Sequence, residues 1–260
     1  MEPQERALSA YIDSVRDDPG TLAVVLVGSV AQGRERSDSD VDVYLIVDDQ
    51  RFAEAAAADR FAWVERWDLD YPGSYIDIKI ASPSYLESAA VGADDPTRAS
   101  FVGARVAFSR VDGLESVIER IATLPDDEWS GRIRSHMAQA RLYGGYFLTQ
   151  AIDRQDPFLR SHAGLHFALA AARVALASGR TLLQGPKYVS RLVRSVPTPD
   201  GFVDAWEQVV NDPGIENARV LMALLDAWAG DDLSPDQALS IFIRDNELAW
   251  LRGTVPAEFW

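Results

Sequence analysis

The chain has no cysteine, only two lysines (Lys79 and Lys187) and three histidines in 260 residues. Without cysteine there is no disulfide framework, no thiolate metal site and no cysteine nucleophile. Positive charge is also scarce: 25 Lys and Arg stand against 40 Asp and Glu, for a net charge of −15. Nucleic-acid phosphates usually meet basic surface, so this balance disfavours a nucleic-acid partner and favours a cationic one. No apolar run reaches the ~18 residues of a membrane span, and no membrane partner is expected. The opening MEPQERALSAYIDS is charged and lacks the apolar core of a secretory signal. A cytoplasmic location is the expectation. With 47% hydrophobic and 25% charged residues, the composition is that of a globular chain of one large or two small domains.

Two patterns follow one another along the chain. In the first, helical and strand periods alternate. A helix is predicted over 4–16, strands over TLAVVLV (21–27) and VDVYLIV (41–47), and an alanine-rich helix over 51–67. YIDIKI (75–80) alternates, with Ile76, Ile78 and Ile80 on one face and Asp77 and Lys79 on the other. GARVAFSR (103–110) reads as a further strand and 113–124 as a helix. This is an α/β pattern. After LPDD (124–127) the strand signals stop. Helical periods cover 129–153, 157–178, 186–195, 201–211, 215–229 and 234–252, punctuated by VPTPDG, NDPG and GDDLSP. The expected architecture is an α/β domain over 1–125 followed by an all-α helical bundle over 126–260.

The stretch VVLVGSVAQGRERSDSDVDVYLIV (24–47) places Asp38, Asp40 and Asp42 at the mouth of an apolar strand. Strand side chains alternate, so Asp40 and Asp42 share a face, and Asp77 joins them if its strand is a neighbour. Carboxylates gathered this way repel and lose hydration unless a cation sits among them. Hard oxygen donors beside the free backbone N–H groups of a Gly28-Ser29 turn suit Mg²⁺ bridging to phosphate. GSVAQG has the glycine spacing of a P-loop, but Arg34-Glu35 stands where Lys-Ser/Thr is needed. The plainer alternative is a solvated SDSD loop. Other acidic pairs (Asp17-Asp18, Asp48-Asp49, Asp94-Asp95, Asp126-Asp127, Asp231-Asp232) read as surface or caps. None of them combines a strand, Gly-Ser, a polar turn and D-x-D entering a second strand.

Gly28-Ser29, ten intervening residues, Asp40-x-Asp42 and a later strand aspartate, Asp77, resemble the DNA polymerase beta-like nucleotidyltransferase superfamily. The string GSVAQGRERSDSDVD is similar to the bacterial small nucleotidyltransferases. The resemblance implies a mixed sheet carrying the site, with nucleotide clamped between it and a helical second domain. It also implies in-line attack of a hydroxyl on the α-phosphate of a nucleoside triphosphate, assisted by two Mg²⁺ ions that bridge the attacking and leaving oxygens, and release of pyrophosphate. Asp40 and Asp42 would hold both metals, and Asp77 would ligate one or accept the hydroxyl proton. Gly28 and Ser29 would hold the β- and γ-phosphates, with Ser39 at the start of the second strand in the same nucleotide-binding set.

In the helical half, His162, His166, Leu169 and Arg173 fall on one stripe of RSHAGLHFALAAARVALASG (160–179), and Lys187 opens the next helix. An arginine and a lysine turned to a cleft would complete a triphosphate cage. The bland readings are a satisfied core histidine, an ordinary ion-pair arginine and a surface lysine. Arg173, Gly179 and Pro186-Lys187 resemble the helical domain of the streptomycin/spectinomycin adenylyltransferases, which implies ATP contacts for Arg173 and Lys187 and an acceptor contact for His166. Two positions depart from that group: Ala163 replaces an acidic residue, and Asp77 replaces a glutamate. The expected activity is AMP transfer from ATP to a hydroxyl of a small cationic molecule such as an aminoglycoside. The alternatives are an antitoxin that adenylylates a partner protein and an inactive nucleotide-binding sensor.

Overall fold

The two most apolar strands, β1 (Thr21–Val27) and β2 (Val41–Val47), the latter interrupted only by Asp42, pair antiparallel at the centre of a five-stranded mixed sheet. Their composition demands this position, because a strand without polar alternation must be covered on both faces. In the computed structural model, which describes residues 3–66, 71, 74–229 and 233–260, the strand order is β3-β4-β2-β1-β5. β4 (Tyr75–Ala81) runs parallel to β2, while β3 (Ala62–Arg66) and β5 (Arg105–Ser109) form antiparallel edges. One face packs Leu26, Val43, Leu45, Ile76 and Ile78 on Ala7, Leu8 and Tyr11 of α1 (Pro3–Val15). The opposite face packs Ala23, Val25 and Ile46 on Leu86 of α4 (Pro83–Gly92) and on Ile118 and Ile121 of α6 (Leu114–Ala122).

The chain divides into two units, Met1–Ala93 with Thr97–Thr123, and Asp94–Pro96 with Leu124–Trp260. Three features before residue 101 depart from the sequence pattern. The helix expected over 51–67 is instead α3 (Asp49–Ala57) followed by the edge strand β3. Asp59 takes a left-handed φ of 51°, which breaks the helix, and the aromatic and β-branched AWVER then pairs along β4. Trp67, at the end of that expected helix, lies outside the described residues. Helices α4 and α5 (Asp95–Ser100) have no counterpart in the hydrophobic period. The start of α4 does carry a local signal: Ser82 accepts from the Tyr85 amide at 3.2 Å and Pro83 occupies the first turn. Arg98, 3% exposed, donates to the carbonyls of Ala90, Ala93 and Ile121, tying together the ends of α4 and α6.

Among the described residues the second unit has helices joined by turns and loops, with no strand. α7 (Asp126–Arg141), a π-helical turn (Leu142–Phe147) and α8 (Leu148–Asp153) continue one another. They pack against α9 (Pro157–Ser178), whose alanines allow close approach. At Gly144 a Cβ would lie 2.8 Å from the ring of Phe167, so only glycine fits that crossing. α10 (Val189–Ser195), α11 (Phe202–Asn211), α12 (Ile215–Ala229) and α13 (Pro235–Phe242) complete the unit. The helix expected over 234–252 is broken. A second π-helical turn (Ile243–Glu247) and a 3₁₀ turn (Ala249–Arg252) follow α13, ending at Gly253 with φ 64°. Of the GDDLSP turn signal, residues 230–232 lie outside the described residues, the pair Asp231-Asp232 among them. Among the described residues no helix is long and apolar enough to cross a membrane.

His136 of α7 is 3% exposed and lies beside two buried arginines, Arg132 and Arg173. Burial first, then the two guanidinium charges, hold its pKa well below the usual imidazole value. The folded protein therefore keeps His136 neutral, while the unfolded chain takes up a proton below pH ~6.5. Stability should fall as pH drops from 7 to 5, by up to about 1.4 kcal/mol per pH unit for this one proton. Thermal melts across that range should show the loss, and His136→Gln should flatten it.

Candidate active site

Register decides which side chains meet. In the parallel β2–β4 ladder Asp42 is the partner of Asp77, and Tyr44 of Lys79. Asp40 lies two residues before Asp42 on the approach to the strand. One carboxylate oxygen from each of Asp40, Asp42 and Asp77 lies within 4.8 Å of the others, and all three residues are half-buried. Asp38 is not among them; it is exposed and pairs with Arg36 at 3.0 Å.

The chain enters this cluster through two fixed turns. Gly28 has φ +72°, and a Cβ placed there would lie 2.2 Å from Oδ2 of Asp42. The missing side chain is the space the carboxylate occupies. Ser29 follows in the short helical turn α2 (Gly28–Ala31), and its carbonyl accepts from the Arg34 amide at 2.9 Å. Farther on, the Ser39 hydroxyl accepts from the Arg36 amide at 2.9 Å and the Ser39 amide donates to the Arg36 carbonyl at 3.0 Å. Gln4 of α1, 3% exposed, donates to the Arg36 carbonyl at 3.1 Å and so pins the loop that delivers Asp40.

Two tyrosines border the cluster. The Tyr75 hydroxyl hydrogen-bonds to Asp40, and that bond, followed by the Asp40 charge, burial and the charges of Asp77 and Asp42, pushes its pKa up to about 12. Tyr75 therefore stays a neutral donor. Arg66, its partner on β3, lies 5.8 Å over the Tyr75 ring. Burial and then the Asp40 charge also raise the pKa of Tyr71, whose hydroxyl is buried without a hydrogen-bond partner. Gln4 and both tyrosines are absent from the set of residues expected from the sequence. The alternation of YIDIKI carried the signal for Tyr75, which sits two residues before Asp77 on the same face. Nothing in the local sequence pointed to Gln4.

The donor set fits a hard divalent cation. Oxygens ligating one Mg²⁺ at 2.0–2.1 Å lie about 2.9 Å apart when adjacent and about 4.2 Å when opposite, so three oxygens within 4.8 Å of one another come onto one ion by side-chain rotation alone. Acidic oxygens with no thiolate or imidazole among them match magnesium or manganese better than zinc.

The remaining expected residues lie in the helical unit. Arg173 is 7% exposed, and its guanidinium donates to the main-chain oxygens of Ala257 (3.1 Å), Glu258 (2.6 Å) and Trp260 (3.0 Å). Burial lowers its pKa to about 10, against the charges of Asp95 and Glu258. His166 stacks on Tyr143 with centroids 4.7 Å apart, and its Nδ1 lies 3.9 Å from Glu258, to which Tyr143 donates. Lys187 stands 4.9 Å over the ring of Tyr188.

Gly28→Ala should cost about 1–3 kcal/mol and disturb Asp42, because it adds both an unfavourable φ and a 2.2 Å clash. Gly33→Ala has a similar φ, +62°, but nothing within 4 Å of the added Cβ, and should cost about 1 kcal/mol. Denaturant melts of the two variants separate strain from the clash; equal losses would remove the special role of Gly28.

Residues 8–106 match the family model described as a nucleotidyltransferase domain. No curated protein matches the chain. The crystal structure of a nucleotidyltransferase-like protein from Exiguobacterium sibiricum 255-15 is similar, with 15% identity, coverage of 94% of this chain and 80% of that one, and a TM-score of 0.48. The matched residues include the whole of β1, β2, β3 and β4, and a nucleotidyltransferase domain there supports a nucleotidyl transfer function.

Proposed function

We propose that the protein transfers AMP from ATP to a hydroxyl group of a small cationic acceptor such as an aminoglycoside, releasing pyrophosphate. The observation that carries this reading is the convergence of Asp40, Asp42 and Asp77 beside the Gly28-Ser29 turn. The acceptor oxygen forms a bond to the α-phosphorus as the bond to the pyrophosphate oxygen breaks. Two bound Mg²⁺ ions would supply charge neutralisation at the attacking and leaving oxygens. Asp40 and Asp42 would hold both metals through their carboxylate oxygens, and Tyr75 orients Asp40 through its hydroxyl. Asp77 completes the donor set or takes the proton of the attacking hydroxyl. Gly28 and Ser29 offer backbone N–H groups to the β- and γ-phosphates, with Ser39 in the same set. The net charge of −15 supports a cationic acceptor through long-range attraction.

Arg173 and Lys187 enter as triphosphate ligands and His166 as an acceptor contact. For Arg173 this role requires the segment that ends at Trp260 to release its guanidinium, since three main-chain oxygens now occupy it.

Incubation with α-labelled ATP, Mg²⁺ and a panel of aminoglycosides should yield a labelled acceptor and pyrophosphate. Asp42→Asn should remove several kcal/mol of transition-state stabilisation, roughly a thousand-fold or more in rate. Without metal, the same variant should melt at or slightly above the parent temperature, because like-charge repulsion falls. Mg²⁺ with ATP should raise the melting temperature of the parent chain by binding the native state but not that of Asp42→Asn. Full activity in the variant, or no shift in the parent at millimolar ligand, would refute the assignment.

A further inference from the structure

The helical unit contains a cavity of about 860 Å³ that none of the candidate site residues lines. Small-molecule sites occupy roughly 300–1,000 Å³, so the space suits a ligand and not a few waters. Its wall is mostly apolar, including Leu142, Phe147, Met222, Leu239 and Phe242. Leu239 is 46% exposed, an apolar surface that a ligand would remove from water.

Two backbone irregularities border the same space. The π-helical turn 142–147 supplies Gly144 and Gly145, and the second, 243–247, supplies Glu247. Such turns interrupt helices at a cost and are frequent at functional sites. A Cβ added at Gly145 would meet no atom within 4 Å, so the glycine opens onto the cavity without being forced by a neighbour.

The charges on the wall are unbalanced. Arg141 pairs with Asp226 at 2.8 Å and Arg219 with Glu216 at 2.6 Å. Asp236 and Glu247 also line the cavity, and among the described residues neither has an ion-pair partner. Asp226, Asp236 and Glu247 stand against Arg141 and Arg219 in the lining, so this apolar space carries net negative charge and is complementary to an amphipathic cation.

We propose that this cavity is a binding site for a small amphipathic cation, its apolar body against Leu142, Phe147 and Met222 and its ammonium group beside Asp236 and Glu247. The site is separate from the carboxylate cluster and does not rest on the nucleotidyl-transfer reading.

The test uses N-phenyl-1-naphthylamine, a neutral dye that brightens in apolar cavities, displaced by octyltrimethylammonium or octanoate. Saturable dye binding is expected, with octyltrimethylammonium displacing it at about one-tenth the concentration of octanoate or less. Gly145→Leu, which places a side chain into part of the space, should weaken dye binding at least threefold with the circular dichroism spectrum unchanged. The pair Asp236→Asn and Glu247→Gln should keep dye binding and reduce the preference for the cation at least threefold. Should Gly145→Leu fail to fold, Leu239→Arg on the exposed wall replaces it, with reversal of the cation preference expected. The proposal is overturned by the absence of saturable dye binding, by octanoate matching the cation, or by an unchanged preference in the carboxylate variants. A concentration-dependent dimer that Gly145→Leu dissociates, with no dye binding in the parent, would assign the surface to a second copy of the chain and overturn it equally.

Discussion

The parallel pairing of β2 with β4, in the register that sets Asp42 beside Asp77, is the constraint on which the carboxylate cluster depends. Side chains alternate along a strand, so a slip of one residue would turn Asp77 to the opposite face and bring Ile76 or Ile78 out of the core. Burial of those isoleucines against α1 therefore fixes the opposite face of β4 as the side on which Asp77 lies. The core and the cluster share one ladder, and the same pairing supports both.

Holding three carboxylates together works against the fold. At an effective dielectric of about 20, two unit charges roughly 5 Å apart repel by about 3 kcal/mol before solvent screening reduces it. The structure offsets part of this with neutral donors: Tyr75 bonds to Asp40 and remains protonated because the surrounding charge raises its pKa. A divalent cation would offset more. Gly28 contributes by absence, since any side chain there would compete with Asp42 for the same space. Gln4 adds a restraint from the buried side of α1, holding the 36–39 turn by its main chain.

The helical unit stabilises buried charge differently. Asp95 pairs with Arg132 and also accepts from the Leu183 amide at 3.1 Å, while Arg173 is satisfied by main-chain oxygens of the 257–260 segment. Charged groups this deep are tolerated only when each finds partners, and here the partners come from segments distant in sequence. Those contacts link the start of α5, α7, α9 and the segment ending at Trp260 within one unit.

Local pattern was enough for much of this protein. A continuous apolar run identified β1 and a β-branched run after Asp40 identified β2, alternation in YIDIKI placed Asp77 opposite the buried isoleucines, and helical periods separated the α/β half from the helical half. Gly-Ser with Asp40-x-Asp42 marked a cation-ready turn because clustered charge has few other physical justifications. The tertiary structure decided the rest. AWVER became an edge strand because β4 offered a free ladder, which no helical period reveals. Arg173 found main-chain oxygens more than eighty residues away, and Tyr71 and Gln4 reached the cluster and its loop only through packing. Period and turn chemistry are properties of neighbours in sequence, whereas hydrogen-bond partners and charge environments belong to neighbours in space.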